Sequence, residues 1–226
     1  WVGYTFLLYI LLKRKLTNSK FVYHSHNIEF LLRRQKKNFI ITYLTKYFEK
    51  YIANEFDIFT CVSNLDKKKI KKIYNIKSKV LPNGIIFPNI KKIKEKKFKN
   101  KYIFFCGSIE YLPNREALDI LVYKIMPIVV KKNPYIKLVV SGNNKIPYKK
   151  KFLINIGFVS KKNFYTYLKS ASLFVNPMRT AFGSQVKMIS ALVFGKTIIA
   201  SGKATAGLDL NNKFTNSVSL VDADLN

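Results

Sequence analysis

Acidic residues are scarce in this sequence, and their scarcity leaves a large charge imbalance. Only 12 Asp and Glu stand against 41 Lys and Arg in 226 residues, so the formal net charge is +29. This excess exceeds what solubility requires and favours an acidic partner: nucleic acid, anionic lipid or a phosphorylated substrate. The alternative is a biased composition in which Lys, Ile, Asn, Phe and Tyr are all abundant and the lysines cover solvated faces.

Cysteine and histidine are equally rare. Cys61 and Cys106 are too few and too far apart for a disulfide framework or a cysteine metal site, so we expect two small core residues and a reducing cytosol. His24 and His26 alternate on a predicted strand and share a face, which with Glu29 raises a metal site as an alternative. No third ligand is evident, so the sequence favours polar rim residues and no metal.

The apolar stretch at residues 1–12 (WVGYTFLLYILL) is too short for a membrane-spanning helix of about 20 residues and lacks a signal-peptide cleavage pattern. We expect it to form a buried or interfacial helix. The sequence opens on Trp1 rather than Met and stops at Asn226, shortly after a strand-like SVSLV at 217–221. We therefore expect a piece of a longer protein.

Short strand-like and helix-like segments alternate along the chain. Ser63 and Asp66 form a capping box for a lysine-rich helix that ends at Tyr74. The stretch 88–100 has neither periodicity and is predicted to be a linker. The alternation on both sides of it predicts an α/β protein with two parallel-sheet units. Strands are predicted at 21–27, 57–63, 79–85, 101–108, 137–143, 152–159, 172–177 and 196–201, with helices at 114–132 and 161–170 and another that begins near Ser184.

The segment PMRTAFGSQVKMISALVFGK, residues 177–196, follows a predicted strand and enters an apolar helix. Ligands of open parallel sheets collect beyond the carboxyl ends of the strands, where helix N-termini offer free N–H groups. Arg179 can make a bidentate contact with an oxyanion, Gly183 allows close backbone approach, and Lys187 adds a point charge. The segment is consistent with a diphosphate site, although such residues also occur by chance in a lysine-rich chain. No Walker-type or GxGxxG motif is present.

Several stretches, in order, resemble the GT-B glycosyltransferases of family 4. The resemblance implies two Rossmann-like parallel-sheet domains that face a cleft, both incomplete: residues 1–87 from the acceptor-side domain, the linker 88–100, and residues 101–226 from the nucleotide-sugar domain. The matching stretches are VYHSHNIEFLLRR (22–34), DIFTCVSNLDKKKI (57–70), KVLPNGI (79–85), FFCGSIEYLPNREALDIL (104–121), LVVSGN (138–143) and NPMRTAFGSQVKMISALVFGKTIIASGKATAGL (176–208).

The resemblance also implies roles for individual residues. Arg179 and Lys187 match the basic pair that holds the donor diphosphate, with Gly183 in the same loop. Gly107 matches a glycine whose backbone lies near the phosphates. His26 matches the cleft histidine that contacts the transferring sugar, and Glu29 completes a similar HNxE pattern that helix capping explains equally well.

Four positions depart from the family pattern. Ser190 stands where a glutamate usually accepts hydrogen bonds from the ribose hydroxyls. Losing the glutamate's bidentate contact would weaken donor binding by about 1 to 3 kcal/mol. Phe182 replaces a further glutamate near the sugar. Ser108 and Asn114 occupy positions often held by arginine and lysine, although a branch of the family with a similar YxPN stretch also lacks them. We keep Ser190, Phe182 and Asn114 as candidates for contacting the ribose or sugar.

The resemblance implies a retaining, metal-independent hexosyltransferase that needs no cofactor. Its partners would be a nucleoside diphosphate sugar and a lipid-linked or polysaccharide acceptor in cell-envelope polysaccharide biosynthesis. We expect it in the cytoplasm, peripheral on the inner face of an anionic membrane. Two alternatives remain: a degenerate binding protein of the same fold, and a nucleic-acid-binding protein. Against the latter, the lysine clusters lack interleaved arginine and aromatic residues or a known module.

Overall fold

The computed structural model describes residues 18–34, 38–95, 98–181, 183–208 and 218–221, the last range by its backbone. It divides into two compact units. Of the described residues, the first unit holds those up to Asn83 together with Gly183 and Ser184, and the second holds those of Gly84–Ala181 and those from Gln185 onward. Each unit contains a parallel sheet with helices, which confirms the predicted α/β class. The predicted helix at 1–12 lies outside the described residues.

The first unit is built on a three-stranded parallel sheet with the order β1-β2-β3. Val22 pairs with Ile58 in the first ladder, and Thr60 pairs with Lys79 in the second. The third strand is shorter than predicted because Pro82 has no N–H to continue the ladder. Its strands and helices are β1 (Val22–Ser25), α1 (Glu29–Arg34), α2 (Phe39–Glu55), β2 (Ile58–Cys61), α3 (Asn64–Tyr74) and β3 (Lys79–Val80).

Side-chain caps define the helices of this unit. The predicted cap of α3 is confirmed, since Ser63 Oγ accepts from Asp66 N at 3.0 Å and donates to the Asp66 carboxylate at 2.7 Å. Asn38 caps α2 by accepting from Ile41 N at 3.1 Å. Such caps satisfy amide groups that have no partner within the helix. Beneath the helices lies a small core of Ile28, Ala53, Phe59, Cys61, Ile70, Tyr74 and Ile76.

The second unit is built on a six-stranded sheet with the order β6-β5-β4-β7-β8-β9, parallel throughout. If the strands are numbered from the first strand of this unit, the order is 3-2-1-4-5-6, as in Rossmann folds. Successive strands are added on one side of β4 up to β6, and from β7 onward they are added on its other side. That reversal is the topological switch point. The strands are β4 (Tyr102–Cys106), β5 (Lys137–Ser141), β6 (Leu153–Asn155), β7 (Leu173–Asn176), β8 (Ile198–Ser201) and β9 (Val218–Val221).

The helices of the second unit match the prediction at 161–170 and differ elsewhere. The segment predicted as one helix over 114–132 begins at Leu112 and has π-helical geometry over Ile120–Ile125, where Met126 N donates to Leu121 O. Pro127 lacks an N–H, which explains why the α-helical bonding is interrupted there. The helices are α4 (Leu112–Asp119), α5 (Met126–Lys132), α6 (Lys161–Ser170), α7 (Val186–Val193) and α8 (Gly202–Thr205).

Helix α7 begins two residues later than the predicted Ser184. Gly183 has φ +61°, outside the right-handed helical region, and Gln185 at φ −81° and ψ 85° is not helical either. Among the described residues, no helix is both long and apolar enough to cross a membrane.

The predicted linker contains structure of its own. Ile90–Lys92 forms a 3₁₀ turn. Lys169 of α6 donates from Nζ to the carbonyl oxygens of Ile90 at 3.3 Å and Ile93 at 2.9 Å. Lys169 also pairs with Glu95 at 3.7 Å. This segment is therefore fixed to the second unit by side-chain bonds, which backbone periodicity does not reveal.

Candidate functional site

The switch point brings two loops of the second unit to the same edge of the sheet. β4 and β7 are direct neighbours, with Ile103 opposite Leu173 and Phe104 opposite Phe174. Gly107 follows β4, and the loop that leads to α7 follows β7. Parallel strands end at one edge, so both loops lie where ligands of such sheets bind. The segment singled out in the sequence starts here.

Lys187, in the first turn of α7, reaches back to the end of β4. Its Nζ donates to Cys106 O at 3.0 Å and to Asn114 Oδ1 at 2.9 Å. The Phe105 ring centroid lies 5.3 Å from the same atom. Burial lowers the pKa of Lys187. Both hydrogen-bond partners are neutral, and none of the described carboxylates forms an ion pair with Lys187.

Asn114 and Gly107 fit together around this lysine. Asn114 is only 7% exposed, and its Nδ2 donates to Ser108 O at 2.9 Å while Oδ1 accepts from Lys187. Gly107 has φ +156°, and a Cβ at this position would lie 2.6 Å from Asn114 Cγ. Any larger residue would therefore displace the amide that orients Lys187. The structure thus brings three of the predicted site residues, Gly107, Asn114 and Lys187, into one contact network.

Ser190 lines the same pocket as Lys187. Its hydroxyl donates to Val186 O at 3.2 Å, and the residue is 5% exposed. The pocket has a volume of about 440 Å³, within the range of small-molecule sites. Its remaining lining residues are Gly84, Ile85, Ile86, Lys161, Phe164, Tyr165 and Val186.

Arg179 lies apart from this pocket. It is exposed and lines a separate concavity of about 560 Å³ together with Glu116, Asp119 and Thr180. The preceding residue, Met178, is buried, and its carbonyl oxygen accepts a hydrogen bond from Ser201 Oγ. The structure therefore fixes the start of the loop but does not place Arg179 in the pocket that Lys187 lines.

His26 and Gly183 meet within the first unit. His26 is exposed at the end of β1, and its ring packs edge-on against His24 at 4.6 Å. Gly183, at φ +61°, lies so close that an added Cβ would clash with His26 O and stand 2.6 Å from Asn27 Oδ1. Only glycine avoids both the clash and the strain of this backbone conformation. Phe182 lies outside the described residues.

The alternative of a histidine metal site gains no support. His24 Nδ1 is bonded to Thr60 Oγ1 at 2.8 Å, and burial, with a smaller contribution from His26, lowers the pKa of His24. No group of three or more potential ligands occurs among the residues that the structure describes.

Glu49 of α2 supports the His26 turn, and sequence reasoning did not identify it. Its carboxylate accepts from Glu29 N at 2.8 Å and Phe30 N at 2.9 Å, the first amides of α1, and also from Tyr74 Oη. Burial raises the pKa of Glu49, against the lowering effect of these hydrogen bonds. The one signal in the sequence is an acidic residue on the otherwise apolar or small buried face of α2.

A Rossmann-type sheet with a lysine at its switch point defines the class: an α/β protein with the type of sheet edge at which anionic ligands bind in such folds. The comparison with known families is consistent with this class. Residues 100–220, more than half of the chain, match the family described as glycosyl transferases group 1. The chain belongs to that family, as its resemblance predicted. None of the curated proteins matches it in sequence.

Solved structures of GT-B glycosyltransferases share the fold, which confirms that prediction. Sucrose-phosphate synthase from Thermosynechococcus elongatus has a TM-score of 0.73 and 14% identity, covering 98% of this chain and 59% of that one. Anabaena Alr3699/HepE in complex with UDP-glucose has a TM-score of 0.69 and 12% identity, covering 96% and 63%. A mutant of S. aureus TarM in complex with fondaparinux, α-GlcNAc-glycerol and UDP has a TM-score of 0.67 and 16% identity, covering 92% and 42%. The chain thus spans less than two thirds of each of these proteins.

Proposed function

We propose that this protein is a retaining glycosyltransferase that transfers a hexose from a nucleoside diphosphate sugar to a lipid-linked or polysaccharide acceptor. The strongest support is Lys187, a cation at the switch point whose hydrogen-bond partners are both neutral. Membership of the family supports sugar transfer. HepE and TarM were crystallised with UDP-glucose and UDP, which makes UDP the first nucleotide to test.

Lys187 has the hydrogen-bonding capacity to hold a phosphate. An ammonium group has three N–H donors, of which Cys106 O and Asn114 Oδ1 take two, so one remains for a ligand oxygen. Arg179, which lines a separate concavity, would have to turn toward the phosphates to add its guanidinium, and the start of α7 would add a further partial positive charge. Together they would stabilise the charge that develops on the departing diphosphate. This role requires neither a metal ion nor another cofactor.

The proposed reaction proceeds on one face of the sugar. The bond from C1 to the diphosphate oxygen breaks while the acceptor hydroxyl oxygen bonds to C1, and the acceptor proton passes to the departing phosphate oxygen. His26 would orient the sugar without acting as a nucleophile. Ser190 and Phe182 remain candidates for contacting the ribose and the sugar, and Asn114 would act through Lys187.

Calorimetric titration of the full chain with UDP, GDP and their hexose conjugates tests this proposal. We expect Lys187→Ala to weaken binding by about 1.5 to 3 kcal/mol, roughly tenfold to more than a hundredfold, because a hydrogen bond to a charged group is lost. Arg179→Ala should also weaken binding. Lys131→Ala, an exposed lysine at the end of α5, is the matched control and should bind like the wild type. Equal binding by all four proteins would overturn the assignment.

A degenerate binding protein is the second candidate, because Ser190 and Phe182 replace both glutamates of the family pattern. It predicts nucleotide-sugar binding without release of free UDP or GDP in the presence of acceptor. A release assay on the protein that binds in calorimetry separates the two candidates, since only the enzyme accumulates free nucleotide.

We place the protein in the cytoplasm, peripheral on the inner face of the membrane, where lipid-linked acceptors are available. The net charge of +29 supports an anionic surface as partner. Nucleic-acid binding is the competing interpretation of that charge. A steep salt dependence of RNA or DNA binding, combined with no binding of any nucleotide sugar, would favour it instead.

A further inference from the structure

Helix α2 carries a second apolar face that the first unit does not bury. Its inner face holds Thr42, Thr45, Glu49, Ile52 and Ala53, all buried. Six large apolar residues of the same helix are exposed: Phe39 at 85%, Ile40 at 75%, Tyr43 at 73%, Leu44 at 37%, Tyr47 at 64% and Tyr51 at 45%. Four of the six are aromatic.

These six residues form one continuous stripe. At 100° per residue they cover about 140° of the helix circumference, opposite the buried face, and from Phe39 to Tyr51 they extend over about 18 Å. Isolated exposed apolar residues are ordinary, but an aromatic stripe of this length is the kind of patch that marks an interaction surface.

The charges around the stripe are two lysines and one carboxylate. Lys46 and Lys50 lie on one border of it, and Lys46 Nζ sits 5.4 Å from the Phe30 ring centroid of α1. Of the two acidic residues of the helix, Glu49 points inward and is bonded to the start of α1 and to Tyr74. Glu55 stands at the far end of the helix. The exposed face therefore combines aromatic and aliphatic side chains with two lysines, and its one carboxylate, Glu55, stands at the edge of the stripe one turn beyond Tyr51.

We propose that α2 lies flat on an anionic phospholipid surface, with the stripe inserted at the level of the headgroups. Tyrosine rings favour that depth because one end is apolar and the other hydrogen-bonds to water. Lysines at the border attract anionic lipids, and a helix with this pattern binds in the plane of the interface rather than across the bilayer. The inference rests on the proposed lipid-linked acceptor and names the surface that would bring the protein to it.

Flotation of the full chain with vesicles tests this surface. We expect binding to phosphatidylglycerol–phosphatidylcholine vesicles and little to phosphatidylcholine alone. Tyr43→Ser with Tyr47→Ser should lower binding by roughly tenfold or more, because two exposed rings no longer enter the interface. Lys50→Gln should lower it by roughly fivefold, the contribution of one lysine near the surface.

The matched control removes two exposed aromatic residues of the second unit, Tyr135→Ser with Phe158→Ser, which are 75% and 78% exposed. This control should float like the wild type. Absence of flotation, or equal flotation of both double variants, would overturn the proposal. So would loss of self-association in sedimentation by the Tyr43 and Tyr47 variant alone, since a second copy would then be the occupant. UDP titration of each protein is the independent readout: flotation without UDP binding would contradict the proposed function and leave the surface standing.

Discussion

Replacing Asn114 with aspartate is the sharpest test of the Lys187 site. The change substitutes one oxygen for the amide nitrogen and places a carboxylate where Oδ1 now accepts from Lys187 Nζ at 2.9 Å. A charge pair at this distance holds the lysine much more strongly than an amide does, because Coulomb attraction adds to the hydrogen bond. We expect the pKa of Lys187 to rise and its charge to become unavailable to a ligand.

The cost to UDP binding follows from the interaction that is lost. A charge-assisted hydrogen bond contributes about 1.5 to 3 kcal/mol, so affinity should fall roughly tenfold to more than a hundredfold. Repulsion between the new carboxylate and the diphosphate acts in the same direction. Calorimetry measures the affinity, and thermal unfolding reports whether the variant remains folded.

Asn133→Asp, at the end of α5, is the control because it changes the net charge equally away from Lys187. Two results would refute the reasoning. One is UDP binding by the Asn114 variant at wild-type affinity. The other is an equal loss in the Asn133 variant, which would attribute the effect to overall charge rather than to contact with Lys187.

Two further predictions concern the same pocket. Burial lowers the pKa of Lys187, and only the protonated amine attracts phosphate, so UDP affinity should decrease as pH rises through that lowered pKa. Calorimetry across alkaline pH should show this decrease in the wild type, and Lys187→Ala should abolish it. A wild type whose UDP affinity does not depend on pH would contradict the prediction. Ser190→Glu should restore a carboxylate for the ribose hydroxyls and tighten UDP binding by about 1 to 3 kcal/mol, with no gain for 2′,3′-dideoxy-UDP. An equal gain for both nucleotides would mean that residue 190 does not contact the ribose.

Local patterns were sufficient to predict the α/β class and most strands. Runs such as KYIFFCGS, with turn residues behind them, identify buried parallel strands because both faces of such strands are covered. The cap at Ser63 was equally readable, since its partner Asp66 stands three residues away. Predictions were wrong at the ends of helices and strands, where a single residue determines where the element begins or ends. Gly183 makes α7 begin later than predicted, and Pro82 makes β3 end earlier.

Long-range contacts were beyond sequence reasoning. Lys187 and Asn114 are 73 residues apart, and nothing in either local segment indicates that the amide accepts from the amine. Ser201 and Met178 likewise meet only because β7 and β8 are neighbours in the sheet. The strand order that unites them depends on pairing across the whole second unit. A pattern can therefore propose the residues of a site, whereas their partners follow from topology.

The hydrogen-bond partners of Lys187 also show what a serine, rather than a glutamate, at position 190 does to the charge of this lysine. A glutamate there would stand one turn from Lys187 on α7 and would both accept ribose hydroxyls and attract the lysine's charge. With serine, whose hydroxyl is bonded to Val186 O, Lys187 keeps only neutral partners. If the pocket binds the donor as proposed, its recognition would shift from the ribose toward the phosphates, because Lys187 and Lys161 both line the pocket and no carboxylate stands at position 190. Loss of the family glutamate is thus compatible with donor binding, provided that the diphosphate contributes most of the affinity.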